Sequence, residues 1–400
     1  MESGKTGYAL LIISIVGGFV WASFAPFSLF LGVYLVSQGI SYALIGLLMT
    51  ATSILSSFLQ LVFGSLADKY QNTRLIISLT LLARSVACLI LVFSRDLVST
   101  LLWYVVSGIF LSGFLPIAQS MVAKLSEDER LGFSMGKYRL SGSLGWAFSC
   151  ILTGLFAKYG IWSIFPITLV LSFSSFLTSL AIPEVKGIAG SHREIRRHET
   201  RKPVKLVVFF ILNIFLSSLS MSAASSFLNI FLFQLGSDPF FIGVIIAIGA
   251  FLEVPAMYLG GILSDKTSEI LVLMMGEIGL GIIYWLYGTV KNIYTYIIIQ
   301  GLRGVLYAFF MVSGMSLSSS MGDVEKKGFY AGLYNLSLQF GMALGPFLGG
   351  LVSDAFGLLT MFLTVSIISE LSSTLLIPLA FSAKKKMGLK FLSRFYSSLP

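Results

Sequence analysis

The sequence predicts an all-α membrane protein: twelve transmembrane helices in two six-helix bundles, related by a pseudo-two-fold axis normal to the membrane. Three observations predict it. First, the 400 residues are 56% hydrophobic and only 11% charged, where soluble domains carry about 45–50% apolar and about 25% charged residues. Such a chain can bury a core but cannot cover itself with charge. Second, it contains twelve apolar stretches, each long enough to cross a hydrocarbon core, which takes about 20 residues. Third, its first half recurs in its second half at an offset of 197 or 196 positions. The composition excludes a cytosolic enzyme, a secreted disulfide scaffold and a nucleic-acid-binding domain. The net charge of +9 belongs to membrane-flanking loops, not to a nucleic-acid interface.

In order, the apolar stretches are 8–36, 41–67, 74–93, 98–122, 135–157, 160–182, 205–234, 240–263, 269–290, 293–321, 327–353 and 358–381. They are too long, and alternate too little, to be strands. The first is too long for the apolar core of a signal peptide and has no convincing small-residue cleavage site, so it counts as a helix. Twelve spans place both termini on one side. Assigning that side to the cytoplasm puts 22 of the 27 Lys and Arg residues there, counting Arg139 at the start of helix 5. Arg95, Lys158 and Lys291 fall opposite, and Arg84 and Arg303 lie within spans. The positive-inside rule then predicts a multi-pass protein of the cell membrane with cytoplasmic N- and C-termini.

Four segments follow: an N-terminal bundle (1–182), a cytoplasmic linker (183–204), a C-terminal bundle (205–383) and a basic amphipathic tail (384–400). The linker carries His192-Arg193-Glu194-Ile195-Arg196-Arg197-His198, a charge cluster suited to lipid headgroups, with pH sensing by the two histidines as the alternative. In the tail, Lys384-Lys385-Lys386 leads into Met387, Phe391 and Phe395, spaced for a helix lying on the bilayer. Cys88 and Cys150 sit inside helices, which indicates neither a disulfide framework nor a metal cluster.

At an offset of 197, Gly64, Leu66, Asp68 and Lys69 fall on Gly261, Leu263, Asp265 and Lys266, and Gly39 and Gly46 on Gly236 and Gly243. At 196, Gly132, Phe133, Gly136, Tyr138, Leu140, Ser141, Gly145 and Gly154 fall on Gly328, Phe329, Gly332, Tyr334, Leu336, Ser337, Gly341 and Gly350. One register kept over such distances at glycines and charges implies two homologous halves of the same orientation.

The segments Gly64-Ser-Leu-Ala-Asp68-Lys69, followed by Arg74, and Gly261-Ile-Leu-Ser-Asp265-Lys266 match the G-x-L-[AS]-D-[RK] loop motif of the major facilitator superfamily, which the chain resembles over nearly its whole length. Gln71 and Asn72 stand where that motif has a glycine and a basic residue. Gly64 and Gly261 are expected to let neighbouring helices approach closely. Asp68 and Asp265 are expected to cap a helix N-terminus or to pair with basic side chains such as Lys69, Arg74 and Lys266. Those contacts would gate the cytoplasmic side; the alternative is a solvated turn. Gly341, Gly345, Pro346, Gly349 and Gly350, with Gly142, Gly145 and Gly154 in helix 5, read as packing and hinge elements between the halves.

Ionisable groups within spans cost about 2.5–3.5 kcal/mol each on insertion scales and are functional candidates by default. They are Arg84, Arg139, Glu253, Glu277, Arg303 and Glu370. At 1.5 Å per residue, Glu277 and Arg303 come to similar depth near the midplane, which suggests a pair. Glu253, beside Pro255, is the leading candidate to load and release a proton. Glu370, in the last helix, reads as structural.

Helix 5, Gly136-Lys-Tyr-Arg139-Leu-Ser-Gly142-Ser-Leu-Gly145-Trp146-Ala147, resembles the corresponding segment of the lactose-permease and nucleoside proton-symporter branch, as do Glu253-Val-Pro255 and Gln300-Gly-Leu-Arg303-Gly. The resemblance implies that Arg139 binds substrate hydroxyls and that Trp146 is an aromatic platform. The branch's carboxylate partner for this arginine aligns with Ala123, and Arg303 stands where a histidine is expected. Cavity-lining helices 1, 4, 7 and 10 then offer Trp21, Tyr104, Gln119, Asn213, Asn229 and Tyr307, suited to an amphipathic organic molecule.

The expected function is that of a secondary active transporter, not an enzyme, moving a small organic solute by alternating access in proton-coupled symport. Proton-driven efflux of amphipathic compounds and organic-anion facilitation are the alternatives. No cofactor is expected beyond the proton as coupling ion. The expected partners are the solute and the lipid bilayer, with no nucleic acid, and the protein is expected to act as a monomer.

Overall fold

The computed structural model describes residues 2–70, 73–94, 96–126, 131–183, 204–321 and 327–381. The linker from His192 to His198, the tail from Lys384 through Phe395, and Gln71 and Asn72 lie outside the described residues. The chain forms α1 (Glu2–Ser37), α2 (Tyr42–Tyr70), α3 (Thr73–Ser94), α4 (Leu97–Leu125), α5 (Leu131–Ala157) and α6 (Ile164–Ser179). After the linker come α7 (Val204–Gln234), α8 (Pro239–Lys266), α9 (Glu269–Thr289) and α10 (Tyr296–Ser320). Helical residues Lys327–Thr374 break at Gly357, whose φ of 84° is open to glycine and costly for other residues. They form α11 (327–356) and α12 (358–374).

Ten described stretches are long and apolar enough to span a membrane. One of them, Phe329–Phe381, holds both α11 and α12, and the 22-residue apolar α3 completes twelve crossings, as the sequence predicts.

Local chemistry sets the boundaries. Gly39 and Gly236, equivalent in the internal repeat, both take positive φ (77° and 85°) just before α2 and α8, so the duplication extends to backbone conformation. Asp238 caps α8 by accepting a hydrogen bond from the Phe240 amide at 2.8 Å, with Pro239 pre-set for the first turn. Asp96 precedes α4 and accepts from the Ser99 amide (2.9 Å) and the Ser99 hydroxyl (2.7 Å). These bonds hold its carboxyl below the usual aspartate range. Helices α1, α4, α8 and α11 run on through Pro26, Pro116, Pro255 and Pro346, as membrane helices tolerate.

Within the first bundle α1 packs on α5 and α6, and α3 on α4 and α6. Within the second, α7 packs on α11 and α12, and α10 on α8 and α9. Gly345 meets the Ala223 amide nitrogen, and Gly349 the Ala223 side chain. Such approaches let helices associate in lipid, where apolar burial gives no drive. Most of the glycines read as sliding contacts between halves therefore work inside a bundle: Gly341, Gly345 and Gly349 against α7, and Gly142 and Gly145 against α1.

Among the described residues, the close approaches between the bundles lie on the side remote from the termini. There, Gly46 lies against Pro346, Gly350 against Tyr42, Gly154 against Pro239 and Phe240, and Gly243 against Cys150. Thr50 donates to the Ala343 carbonyl at 2.5 Å. One buried apolar cluster joins both bundles, whereas a second, from Ala9 to Val20 and Phe114 to Leu125, belongs to the first bundle alone. Among the described residues, the close contacts between the bundles thus gather on the far side.

Candidate functional site

Four elements place charged or aromatic side chains at the meeting of the bundles. The antiparallel register of α5 and α8, fixed by Gly154 on Pro239 and Cys150 on Gly243, continues toward the termini and brings Arg139 opposite Glu253. The two residues lie within electrostatic range, and Glu253 also feels Arg303 of α10. Arg303 has its guanidinium 5.3 Å from the Tyr307 ring centroid, a favourable cation–π arrangement. Its Nε is buried without an acceptor among the described residues. Tyr307 lies in range of Glu253, Arg303 and Arg139. Two cations from different bundles thus lie within electrostatic range of one carboxyl group.

On the far-side flank of this cluster, Trp21, Phe24 and Trp146 form a half-buried aromatic group. Its centroid distances are 6.4 Å (Trp21–Phe24), 6.3 Å (Trp21–Trp146) and 6.0 Å (Phe24–Trp146). Trp21 also lies against Gly142, where any larger residue would displace it. Aromatic faces beside a charged, hydrogen-bonding cluster suit an amphipathic solute.

The expected Glu277–Arg303 pair is not formed. Glu277 is fully buried, and its carboxylate accepts from Asn213 Nδ2 (2.8 Å) and Ser217 Oγ (2.9 Å). Asn213 also donates to the Ser372 carbonyl at 2.9 Å. Depth alone matched: on α9, Glu277 turns toward α7 and α12, while Arg303 turns toward α8. Asn213, expected to touch substrate, is engaged inside the second bundle. Glu370 lies against Gly281, within range of Glu277.

Other expectations divide. Tyr104 is half-buried and Gln119 exposed. Asn229 donates to the Ser28 carbonyl at 3.3 Å across the bundles, so it belongs to the far-side seal. In the motif, Gly64 has nothing within 4 Å of an added Cβ, and Gly261 only Val312 at 4.0 Å. Among the described residues, neither glycine makes the close approach expected. Arg74 is half-buried, and Asp265 and Lys266 are exposed at the end of α8. The side chains of Asp68 and Lys69 lie outside the described residues.

Two residues of interest escaped the sequence reading. Asp354, at the end of α11, accepts from the amides of Tyr42 and Ala43 at 2.9 Å each, capping α2 from the other bundle. Nothing local in the sequence signals this. Tyr334 is buried with its hydroxyl unpartnered among the described residues and lies in range of Arg139 and Tyr307. Its match with Tyr138 in the repeat was the available signal.

A family model described as the MFS_1 like family matches residues 10–364. The chain is 28% identical over 163 residues to the multidrug resistance protein MdtG of Escherichia coli, a match covering 39% of this chain and 40% of the relative. The chain thus spans about two-fifths of the length of the curated relatives it matches. Its fold is similar to that of a point mutant of the nucleoside transporter NupG (TM-score 0.78, 16% identity, 92% of this chain and 99% of that chain). It is also similar to a bacterial homologue of the human lysosomal transporter Spinster in an inward-facing, occupied conformation (TM-score 0.75, 14% identity, 93% and 96%).

Proposed function

The chain belongs to the MFS_1-like family, and on that premise we propose that it is a secondary transporter that carries a small organic solute by proton-coupled symport. The observation that carries the reading is that Glu253 lies within electrostatic range of Arg303 in its own bundle and of Arg139 in the other. With the carboxyl group ionised, it attracts both cations, offsets one of their two charges and favours their approach. Protonation releases them to hold the polar groups of a solute whose apolar part rests on Trp21 and Trp146. Loading of proton and solute is thereby linked, as symport requires. With the termini cytoplasmic, the far-side contacts at α2–α11 and α5–α8 face outward and must open to admit solute from outside. Asp68, Lys69, Arg74, Asp265 and Lys266 would then close the cytoplasmic side.

Two cations against one carboxyl also favour a second reading, facilitated movement of an organic anion. The likeness to MdtG favours efflux as a third direction for the same site. A thermal-shift panel of nucleosides, sugars, organic acids and lipophilic cations first selects a solute. In proteoliposomes, an imposed pH gradient should then drive its uphill accumulation. Glu253→Gln should abolish accumulation while leaving counterflow, and Arg139→Lys should weaken solute binding about tenfold or more, the worth of a charge-assisted bond. Full uphill transport with unchanged pH dependence in Glu253→Gln rejects proton coupling at this residue. Gradient-driven exclusion of solute would establish efflux.

A further inference from the structure

Arg84 lies on α3 in the interior of the first bundle and is fully buried. Its Nε donates to Ser107 Oγ on α4 at 2.8 Å, and Nη1 donates to Ser23 Oγ on α1. Its Nη2 has no acceptor, and no carboxylate lies within ion-pair distance of it among the described residues. A guanidinium cannot shed its proton to escape this position, and a buried charge left unpaired is strongly destabilising. The ring of groups around it is also short of acceptors. The Ser23 hydroxyl spends its proton on the Val20 carbonyl at 2.7 Å. The Ser107 hydroxyl accepts from Arg84 and donates to nothing among the described residues.

One turn toward the far side, a second layer repeats the shortage. Phe27, four residues beyond Ser23, stacks on Trp103, four residues before Ser107, with centroids 3.7 Å apart. Trp103 is 3% exposed, and its indole N–H has no acceptor. Residues four apart share a helix face, so Trp103 lies on the same side of α4 as Ser107, one turn from the Arg84 guanidinium. A cation and two neutral donors, all buried and lacking acceptors, call for a compact negative charge.

We propose that Arg84, Ser107 and Trp103 form a buried binding site for a small monovalent anion of the chloride class within the first bundle. The site is separate from the Arg139–Glu253–Arg303 cluster and does not depend on proton coupling there. The same chemistry would be met by a free inorganic anion or by the carboxylate of a transported solute, and the experiment separates these sources.

The full-length protein, purified in detergent at constant ionic strength, is titrated with chloride replacing gluconate while its unfolding midpoint is followed. The midpoint should rise saturably, because an anion bound only to the folded state stabilises it. Arg84→Met should abolish the saturable part. Trp103→Phe keeps the ring stack, and Ser107→Ala keeps the charge. Each should raise the half-saturating chloride concentration about three- to tenfold, the worth of one hydrogen bond. Those two variants decide the matter should Arg84→Met not fold. A saturable rise with small carboxylates but not with chloride, again lost in Trp103→Phe, would identify the solute as the source of the anion. A flat chloride and carboxylate response, or the same response in wild type, Trp103→Phe and Ser107→Ala, overturns the site.

Discussion

Glu277 is held by Asn213 and Ser217, while the Asn213 side-chain oxygen is buried with no partner. The two donors on this carboxyl set how substitutions at the pair should behave. In Glu277→Gln, the new amide can keep its oxygen on Asn213 Nδ2 and donate its nitrogen to the Ser217 hydroxyl, so stability should fall by about 1 kcal/mol or less. Asn213→Leu instead removes a donor from a buried acceptor and should cost about 1–3 kcal/mol. Thermal unfolding of the two variants in detergent checks the ranking, and the reverse order would show that the bundle needs the charge itself. The same residue shows what hydropathy can tell. The rise per residue located Glu277 and Arg303 at similar depth. It could not locate their rotation about the helix axis, because these helices are apolar on every side and carry no amphipathic stripe. Glu253 and Arg139 could be singled out as candidates because each sits in a segment that resembles a known one.

At the scale of helices, nearly everything was legible. The spans follow from apolar length, and the turn glycines from the repeat. Gly357 falls in the gap between the last two apolar stretches, 327–353 and 358–381. What the sequence could not show is a helix end completed by the other bundle. The α2 N-terminus is capped by Asp354 through two amide bonds of 2.9 Å, and a carboxylate also complements the positive end of the helix dipole. In the second copy, Asp238 caps α8 from its own chain segment, and the position matching Asp354 is Lys158. The far-side seal thus has one charged latch where its symmetry would allow two. Asp354→Ala should weaken the sealed state by about 0.5–2 kcal/mol, the usual worth of a cap. Cys150 is buried at the seal against Gly243. In a Cys88→Ala background its alkylation should accelerate about two- to thirtyfold when the latch is lost. An unchanged rate would show that Asp354 does not hold the seal.

For the whole molecule, the two-fold relation makes the seal a pair of matched contacts. Gly46 on Pro346 and Gly350 on Tyr42 in one repeat become Gly243 on Cys150 and Gly154 on Pro239 in the other. The equivalence implies that bulk at either glycine acts alike. In Gly46→Val and Gly243→Val, the added atoms strike the opposite bundle, not a neighbour in their own. Each bundle should therefore stay folded while the far side can no longer close. Gly345 abuts α7 inside the second bundle, so Gly345→Val should damage the fold itself, with overpacking costing about 1–3 kcal/mol or more. Size-exclusion profiles and unfolding midpoints should stay near wild type for the first two variants and collapse for the third. Uphill transport should be lost in all three, because alternating access needs both closures. Should Gly46→Val and Gly243→Val transport normally, the far-side contacts would be incidental to the cycle. Should either unfold the protein as Gly345→Val does, the two bundles would have to be regarded as one rigid body, and rocking about their meeting surface would be excluded.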